Sequence, residues 1–210
     1  MVHEWWGHND YARERARMLA AMVGYTALAV DMYGDGKTAD HPQDAGKFSQ
    51  AAMSDLGVAE QRFLAARRLL EAHATTDSSR TAAIGYCFGG GVVLHMARVG
   101  TDLKGVASFH GSLSARTPAK AGAVRAEVLV LHGADDGFVP PEQIAAFKKE
   151  MTDAGARFKF VAYPGAVHSF TNPGATAIGE KFDIPLAYHA EADAQSWAEL
   201  DAFLQRLFAD

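Results

Sequence analysis

The chain has 210 residues, of which 49% are hydrophobic and 21% charged, and its formal net charge is -5 at pH 7. This balance excludes a disordered or collagen-like chain and predicts a single globular α/β domain over residues 1–210. No stretch is rich in Lys and Arg, so we expect no nucleic acid partner. The longest nearly apolar run, Met18 to Val30, is too short to span a bilayer, and no export signal is expected. The lone Cys87 cannot form an intramolecular disulfide, which favours a cytoplasmic protein.

Helical and strand patterns alternate along the chain. In order, they predict a helix from Asn9 or Asp10 to about Met22, a strand over Tyr25–Asp31, a helical region over Asp44–Ala74 broken near Gly57, and strands over Arg80–Gly85, Val106–Phe109, Val128–His132 and Phe158–Ala162. Helical stripes precede and follow the last of these strands. The alternation predicts a doubly wound, mostly parallel sheet with helices on both faces.

A candidate nucleophile follows the predicted strand that ends at Gly85. The sequence Gly85-Tyr86-Cys87-Phe88-Gly89-Gly90 has the form of a nucleophile elbow, with Cys in place of the more familiar Ser. Small residues on either side allow a sharp turn, and the N-terminus of the next helix favours a thiolate and an oxyanion. The alternative is a structural cysteine buried beside a tight turn.

Acidic residues and a histidine follow later strands in the order that α/β hydrolases use. Asp135 and Asp136 come after the strand ending near His132, and His168 lies in the loop after the strand ending near Ala162. His168 would take the thiol proton and later activate water, while one of the two aspartates orients its ring. Alone, each of these residues is more typical of a loop cap or a surface histidine.

Other chemistries fit the sequence less well. In the sequence around His3 and His8 the two histidines are five residues apart, so they would not share a helix face as zinc ligands do, and no metal site is expected. Gly36-Lys37-Thr38 lacks the earlier glycine and the following helix of a phosphate loop. We therefore expect no cofactor. His110, at the end of a predicted strand, is either a residue lining the site or a structural loop histidine.

The motifs together resemble the dienelactone hydrolase family of α/β hydrolases over nearly the whole chain. The matching segments are His3-Glu4-Trp5-Trp6-Gly7, Asp31-Met32-Tyr33-Gly34, Gly85-Tyr86-Cys87-Phe88-Gly89-Gly90, Asp136-Gly137-Phe138-Val139-Pro140 and His168-Ser169-Phe170. The resemblance selects Asp136 rather than Asp135 as the acid. It implies that Glu4 lies beside the thiol and that a neighbouring carboxylate disfavours the resting thiolate. It also implies an oxyanion hole formed by the backbone N–H groups of Trp5 and Phe88.

Substrate contacts can be predicted only in outline. Trp6, Tyr86 and Phe138 flank the proposed centre and would form an apolar wall, with ordinary core packing as the alternative. Asn172 stands where relatives acting on dienelactone carry an Arg that pairs with the substrate carboxylate. A carboxamide cannot replace that charged, two-pronged contact.

The family pattern differs at the start of the chain, because only Met1 and Val2 precede His3 where a full strand is expected. We therefore expect shortened N-terminal strands, with either a start upstream or a sheet completed by another chain or by a rearranged strand. Completion by another chain allows a homodimer. The functional prediction is a hydrolase of a small-molecule carboxylic ester or lactone with a Cys-His-Asp triad and a thioester intermediate. The alternatives are a non-catalytic binding protein of the same fold and a thiol redox sensor, which would lack a resolving cysteine within the chain.

Overall fold

The computed structural model describes residues 1–22 and 24–209 and divides the chain into two compact units, Met1–Thr81 and Ala82–Asp210. The expectation of a single domain stays a prediction.

Three helices make up most of the N-terminal unit: α1 (Asp10–Ala21), α2 (Pro42–Ser54) and α3 (Leu56–Glu71). The predicted helix start at Asn9 or Asp10 is confirmed, because the Asn9 side chain caps α1 by accepting from the Ala12 N–H at 3.1 Å. The predicted break in the second helical region is also present, but it lies at Asp55 rather than Gly57. Asp55 ends α2 in an extended conformation and then caps α3, accepting from the Val58 N–H at 3.2 Å.

The prediction of a strand over Tyr25–Asp31 is wrong. The segment has no ladder of strand pairing, and only Val30 forms an isolated parallel bridge, with Val2. A run of apolar residues forms a strand only where the backbone of a neighbouring strand accepts and donates hydrogen bonds along its length. Here residues 25–29 remain half-exposed, so the apolar pattern alone misled the prediction.

The C-terminal unit contains the parallel sheet. In chain order its elements are β1 (Ala82–Tyr86), α4 (Phe88–Arg98), β2 (Gly105–Phe109), β3 (Glu127–Gly133), α5 (Pro141–Asp153), β4 (Phe158–Tyr163), α6 (Ala175–Phe182) and α7 (Ala190–Leu207). The strands lie side by side in the order β1-β2-β3-β4 and all pair in parallel. The four strands predicted for this region are therefore confirmed to within two residues at each end.

Helices cover both faces of this sheet, as predicted. A side chain at Gly105 would meet Phe203 and Leu207 of α7, whereas a side chain at Gly90 of α4 would meet the Ser108 hydroxyl. Because alternate residues of a strand point to opposite faces, Gly105 and Ser108 of β2 point in opposite directions. It follows that α4 and α7 pack on opposite faces. Between them lie β2, in which every residue is buried, and the Val- and Leu-rich β3, in which every residue after Glu127 is buried.

His3, in the N-terminal unit, is held as a neutral imidazole. Its ring is 1% exposed, and its Nε2 accepts from the Met32 backbone N–H at 3.2 Å while its Nδ1 contacts the Glu4 carbonyl oxygen at 2.5 Å. Only a ring with a lone pair on Nε2 and a proton on Nδ1 satisfies both partners. Burial lowers the pKa of His3 to about 4, although the Glu4 carbonyl and Asp31 act in the opposite direction.

We expect this histidine to make the protein less stable on mild acidification. Between pH 6.5 and 4 the unfolded chain binds a proton at residue 3 that the folded chain excludes, so stability falls as the pH drops through that window. The loss is on the order of 3 kcal/mol. Urea unfolding at several pH values across this range gives the free energy of unfolding as a function of pH. This dependence should be weaker for His3→Asn than for wild type, whereas a variant at an exposed histidine, His73→Asn, should keep the wild-type dependence. His132, whose pKa burial also lowers, contributes to the slope that remains. Identical slopes in wild type and His3→Asn would contradict the assignment.

Candidate active site

The predicted sharp turn between β1 and α4 is present and is centred on Cys87. This residue has φ 52° and ψ -113°, a backbone conformation that residues other than glycine rarely adopt and that costs on the order of 1–3 kcal/mol. Gly85 permits the turn, because a Cβ there would overlap the backbone of Gly89. The Cys87 N–H donates to the Phe109 carbonyl at 3.0 Å. The turn therefore holds the thiol at the carboxyl end of β1.

Phe88 is the first residue of α4. The first N–H groups of a helix have no acceptor within the helix and carry its positive partial charge. A negative charge that develops next to Cys87 would therefore lie at a favourable electrostatic position.

Asp136 lies in the loop after β3, and its side chain is fully buried. Its backbone N–H donates to the Gly133 carbonyl at 3.1 Å, and its Oδ1 accepts from the Phe138 N–H at 2.9 Å, so both the backbone and the carboxylate of Asp136 are held. Asp135 is exposed, and its backbone N–H donates to the Ala166 carbonyl at 3.0 Å. Of the two aspartates, the structure turns Asp136 inward.

His168 lies in the loop after β4 and meets Asp136 directly. Its Nδ1 is 2.8 Å from Asp136 Oδ2, across 32 residues of sequence. Gly133 makes the approach of this loop to β3 feasible, because a Cβ there would lie within 2.7 Å of the carbonyl oxygens of Ala166 and Val167. With Nδ1 bonded to Asp136, the other ring nitrogen is the one left to interact with Cys87.

The surroundings of His168 favour its charged form. Burial alone lowers the pKa of His168, but the charge of Cys87, hydrogen bonds with Asp136 and Cys87, and the charge of Asp136 outweigh it and raise the pKa to about 10. The arrangement therefore stabilises an imidazolium between a carboxylate and a sulfur.

The residues predicted to contact substrate lie in different environments. Phe138 is 47% exposed and its ring centroid is 5.0 Å from that of His168. Tyr86 is buried and stacks on Phe109 at 4.6 Å, an ordinary core contact. Asn172 is also buried, and its Oδ1 accepts from the Gly174 N–H at 2.9 Å just before α6. Of these three, Phe138 is the side chain that is open to solvent beside the histidine.

Glu4, Trp5 and Trp6 belong to the N-terminal unit, in a loop with its own hydrogen bonds. The Tyr33 hydroxyl donates to the Trp5 carbonyl at 2.9 Å, and the Ala39 N–H donates to the Trp6 carbonyl at 3.0 Å. Glu4 and Trp6 are buried, and Trp5 is half-buried. The roles that the resemblance implies for these three residues stay predictions.

Two contributors to the surroundings of His168 were not singled out by the sequence reasoning. Thr171 is buried and hydrogen-bonds His110, and the His110 ring packs against His168. His132, on β3, is buried and interacts electrostatically with both Asp136 and His168. The position of His110 at the end of a predicted strand had already marked it as a candidate lining residue. Nothing in the sequence marks its partner Thr171.

Over residues 1–22 and 24–209, no group of three or more His, Cys, Asp or Glu side chains is arranged to hold a metal ion. Within the same part of the chain, no helix has the length and apolar character needed to cross a membrane.

A strained turn between a strand and a helix that bears a candidate nucleophile, with an acidic residue and a histidine after later strands, is typical of the α/β hydrolase class. The family model of the dienelactone hydrolase family matches residues 1–208, and the chain belongs to that family. The family and the hydrolases among its structural neighbours support an ester or lactone hydrolase.

Individual proteins of known sequence or structure are similar to most of the chain. The crystal structure of a dienelactone hydrolase-like promiscuous phosphotriesterase from metagenomic libraries is 38% identical, with a TM-score of 0.90 over 99% of this chain and 85% of that one. A putative carboxymethylenebutenolidase of Methylorubrum extorquens is 28% identical over 98% of this chain and 70% of its own length. An uncharacterized protein of Caenorhabditis elegans is 32% identical over 73% of this chain and 96% of its own length.

Proposed function

We propose that the chain hydrolyses small carboxylic esters or lactones with Cys87 as the nucleophile, His168 as the general base and acid, and Asp136 as the group that orients His168. The observation that carries the proposal is the 2.8 Å contact between His168 Nδ1 and the fully buried Asp136 carboxylate, together with the interaction of His168 with Cys87. This is the arrangement of base and orienting acid that activates a nucleophile in unrelated hydrolases.

The reaction follows from these positions in two halves. The Cys87 sulfur attacks the ester carbonyl carbon, the C–S bond forms, and the C–O bond to the alcohol breaks as His168 gives its proton to the leaving oxygen. Water then loses a proton to His168 and attacks the thioester carbon, and the C–S bond breaks to release the acid and restore the thiolate. In this proposal His168 receives the proton that it donates from the Cys87 thiol, and its raised pKa favours the charged form that gives the proton to the leaving oxygen.

Stabilisation of the tetrahedral oxyanion falls to backbone N–H groups in this proposal. Phe88 contributes from the N-terminus of α4, where the helix dipole also favours negative charge. The second N–H, from Trp5, and the effect of Glu4 on the thiol rest on the family resemblance alone.

The proposed substrate contact best supported by the structure is Phe138. Its half-exposed ring beside His168 offers apolar surface to an acyl or alcohol group. Asn172 carries no positive charge, so we expect no preference for substrates that carry a carboxylate. Contacts from Trp6 and Tyr86 remain part of the prediction.

The test is hydrolysis of p-nitrophenyl acetate by wild type and Cys87→Ala, with urea unfolding to establish that both are folded. We expect turnover by wild type and a rate for Cys87→Ala reduced by at least about 10³-fold, because no other side chain replaces the nucleophile. Equal rates would exclude Cys87 as the nucleophile. A folded wild-type protein with no turnover of aryl esters or lactones would favour the non-catalytic binding protein.

A further inference from the structure

His110 follows β2 directly and is fixed by both its backbone and its burial. Its φ is 37°, in the region that side chains rarely adopt, and its N–H donates to the Leu131 carbonyl of β3 at 2.8 Å. The residue is completely buried. A polar ring held in a strained backbone conformation with no exposure is costly unless it makes specific contacts.

One such contact joins His110 to the loop that carries His168. His110 Nε2 and the Thr171 hydroxyl share a hydrogen bond of 2.7 Å, across 61 residues of sequence, and Thr171 is itself completely buried. Thr171 lies three residues after His168. The bond therefore ties the carboxyl end of β2 to the segment from which His168 projects.

The second contact is between the two imidazole rings. The His110 and His168 ring centroids are 5.3 Å apart with an interplanar angle of 64°, and Phe138 lies 5.0 Å from the His168 ring at 62°. Phe170 packs edge-on against His110 at 5.3 Å. The His168 ring thus has an aromatic neighbour that is exposed, Phe138, and one that is buried and anchored, His110.

We propose that His110 is a positioning residue: anchored by Thr171, its ring holds the His168 ring with Nδ1 on Asp136 and the opposite nitrogen toward Cys87. The inference rests on the proposed function only in giving His168 the role of base. His110 touches neither the substrate nor the sulfur in this account, and it acts through the orientation of His168. A small rotation of that ring would lengthen the bond to Asp136 or the contact with Cys87, and such misplacement costs about tenfold to a hundredfold in rate.

The ionisable groups Cys87, Asp136, His132 and His110 lie near His168 and must be considered in any pH experiment. Cys87 and Asp136 favour its charged form, His132 interacts with it from β3, and His110 packs against its ring. Substitution of His110 by Phe keeps a flat aromatic ring but removes the hydrogen bond to Thr171. Substitution of Thr171 by Val removes the same bond from the other side and leaves both imidazoles in place.

The experiment compares wild type, His110→Phe, Thr171→Val and the double variant, with the buried Thr81→Val as a control for loss of a buried hydroxyl away from this site. The measurements are kcat and KM for p-nitrophenyl acetate, the pH profile of Cys87 alkylation by iodoacetamide, and stability by urea unfolding. We expect each single variant to lower kcat by about tenfold or more, with KM changed by less than about twofold. The alkylation profile should shift in both variants, and the double variant should be no worse than the poorer single one, because both remove one interaction.

Retention of the wild-type kcat and alkylation profile by both variants would overturn the proposal. So would a loss of stability with kcat and the alkylation profile unchanged, since that is the result of a purely structural role. The alkylation profile reports on the pairing of Cys87 and His168 without any ester substrate. If no ester is hydrolysed, the proposed function fails, and the alkylation profile still decides whether His110 positions His168.

Discussion

Asp136→Asn is expected to lower kcat for ester hydrolysis by about 10⁴-fold, the size of the effect when the orienting acid of a hydrolytic triad is neutralised. Asp136 Oδ2 accepts from His168 Nδ1 at 2.8 Å, and the charge of Asp136 helps to keep the pKa of His168 high. An amide in this position can present its NH₂ group to Nδ1 and thereby stabilise the tautomer with the proton on the wrong nitrogen. The pKa of His168 should fall at the same time, which the pH profile of Cys87 alkylation would record.

Asp135→Asn is the matched control, since it removes the same charge one residue earlier from an exposed side chain. We expect its kcat to lie within about threefold of wild type, because exposed charges act weakly through solvent. Comparable losses in the two variants would mean that the acid is not defined by the contact between Asp136 and His168. Wild-type activity in Asp136→Asn would remove Asp136 from the mechanism altogether.

Glu150→Ala is expected to destabilise the protein by about 3–5 kcal/mol, the usual effect of removing one partner from a buried ion pair. Arg98 is 4% exposed, and its Nε and Nη2 donate to the two Glu150 carboxylate oxygens at 2.9 and 3.0 Å. Glu150 Oε1 also accepts from the Ala119 N–H at 2.8 Å. The substitution would leave a guanidinium buried without its counterion and a segment between β2 and β3 without its anchor.

Helix α5, which carries Glu150, also supplies a control for the removal of a carboxylate. Asp153 pairs with Lys149 one turn apart at the exposed surface of α5, where 63% and 75% of the two side chains are accessible. Asp153→Ala should cost less than about 1 kcal/mol in urea unfolding. A loss for Glu150→Ala no greater than that for Asp153→Ala would show that the Arg98 pair contributes no more than a surface ion pair.

The parallel sheet of the C-terminal unit could be predicted because its strands are short and mostly apolar. Buried strands such as Val128–Leu131 carry their signal in consecutive residues, and the glycines around Cys87 mark a turn that only small neighbours allow. The same criterion failed for residues 25–31, which are mostly apolar but have no ladder of partners. The apolar pattern of the sequence identifies a segment that suits a strand. Hydrogen bonding to a neighbouring strand decides whether that strand forms.

The candidate site could be predicted as far as its chemistry follows chain order. Cys87, Asp136 and His168 each follow a strand, and parallel strands bring their carboxyl ends to one edge of a sheet. The contact of His110 with His168 and Thr171 depends on how two loops fold over that edge. Strand ends locate a residue along the edge, but they do not determine which ring its side chain meets.

The most direct test of the account is intact-mass spectrometry during turnover of p-nitrophenyl acetate. A transient acetyl adduct, heavier than the free chain by one acetyl group, should form on wild type and decay as the acid is released. It should be absent from Cys87→Ala. In Asp136→Asn it should form and decay more slowly, since both halves of the reaction depend on His168. Turnover by wild type with no acyl adduct at any time would contradict covalent catalysis by this thiol. So would an acyl adduct that also forms on Cys87→Ala.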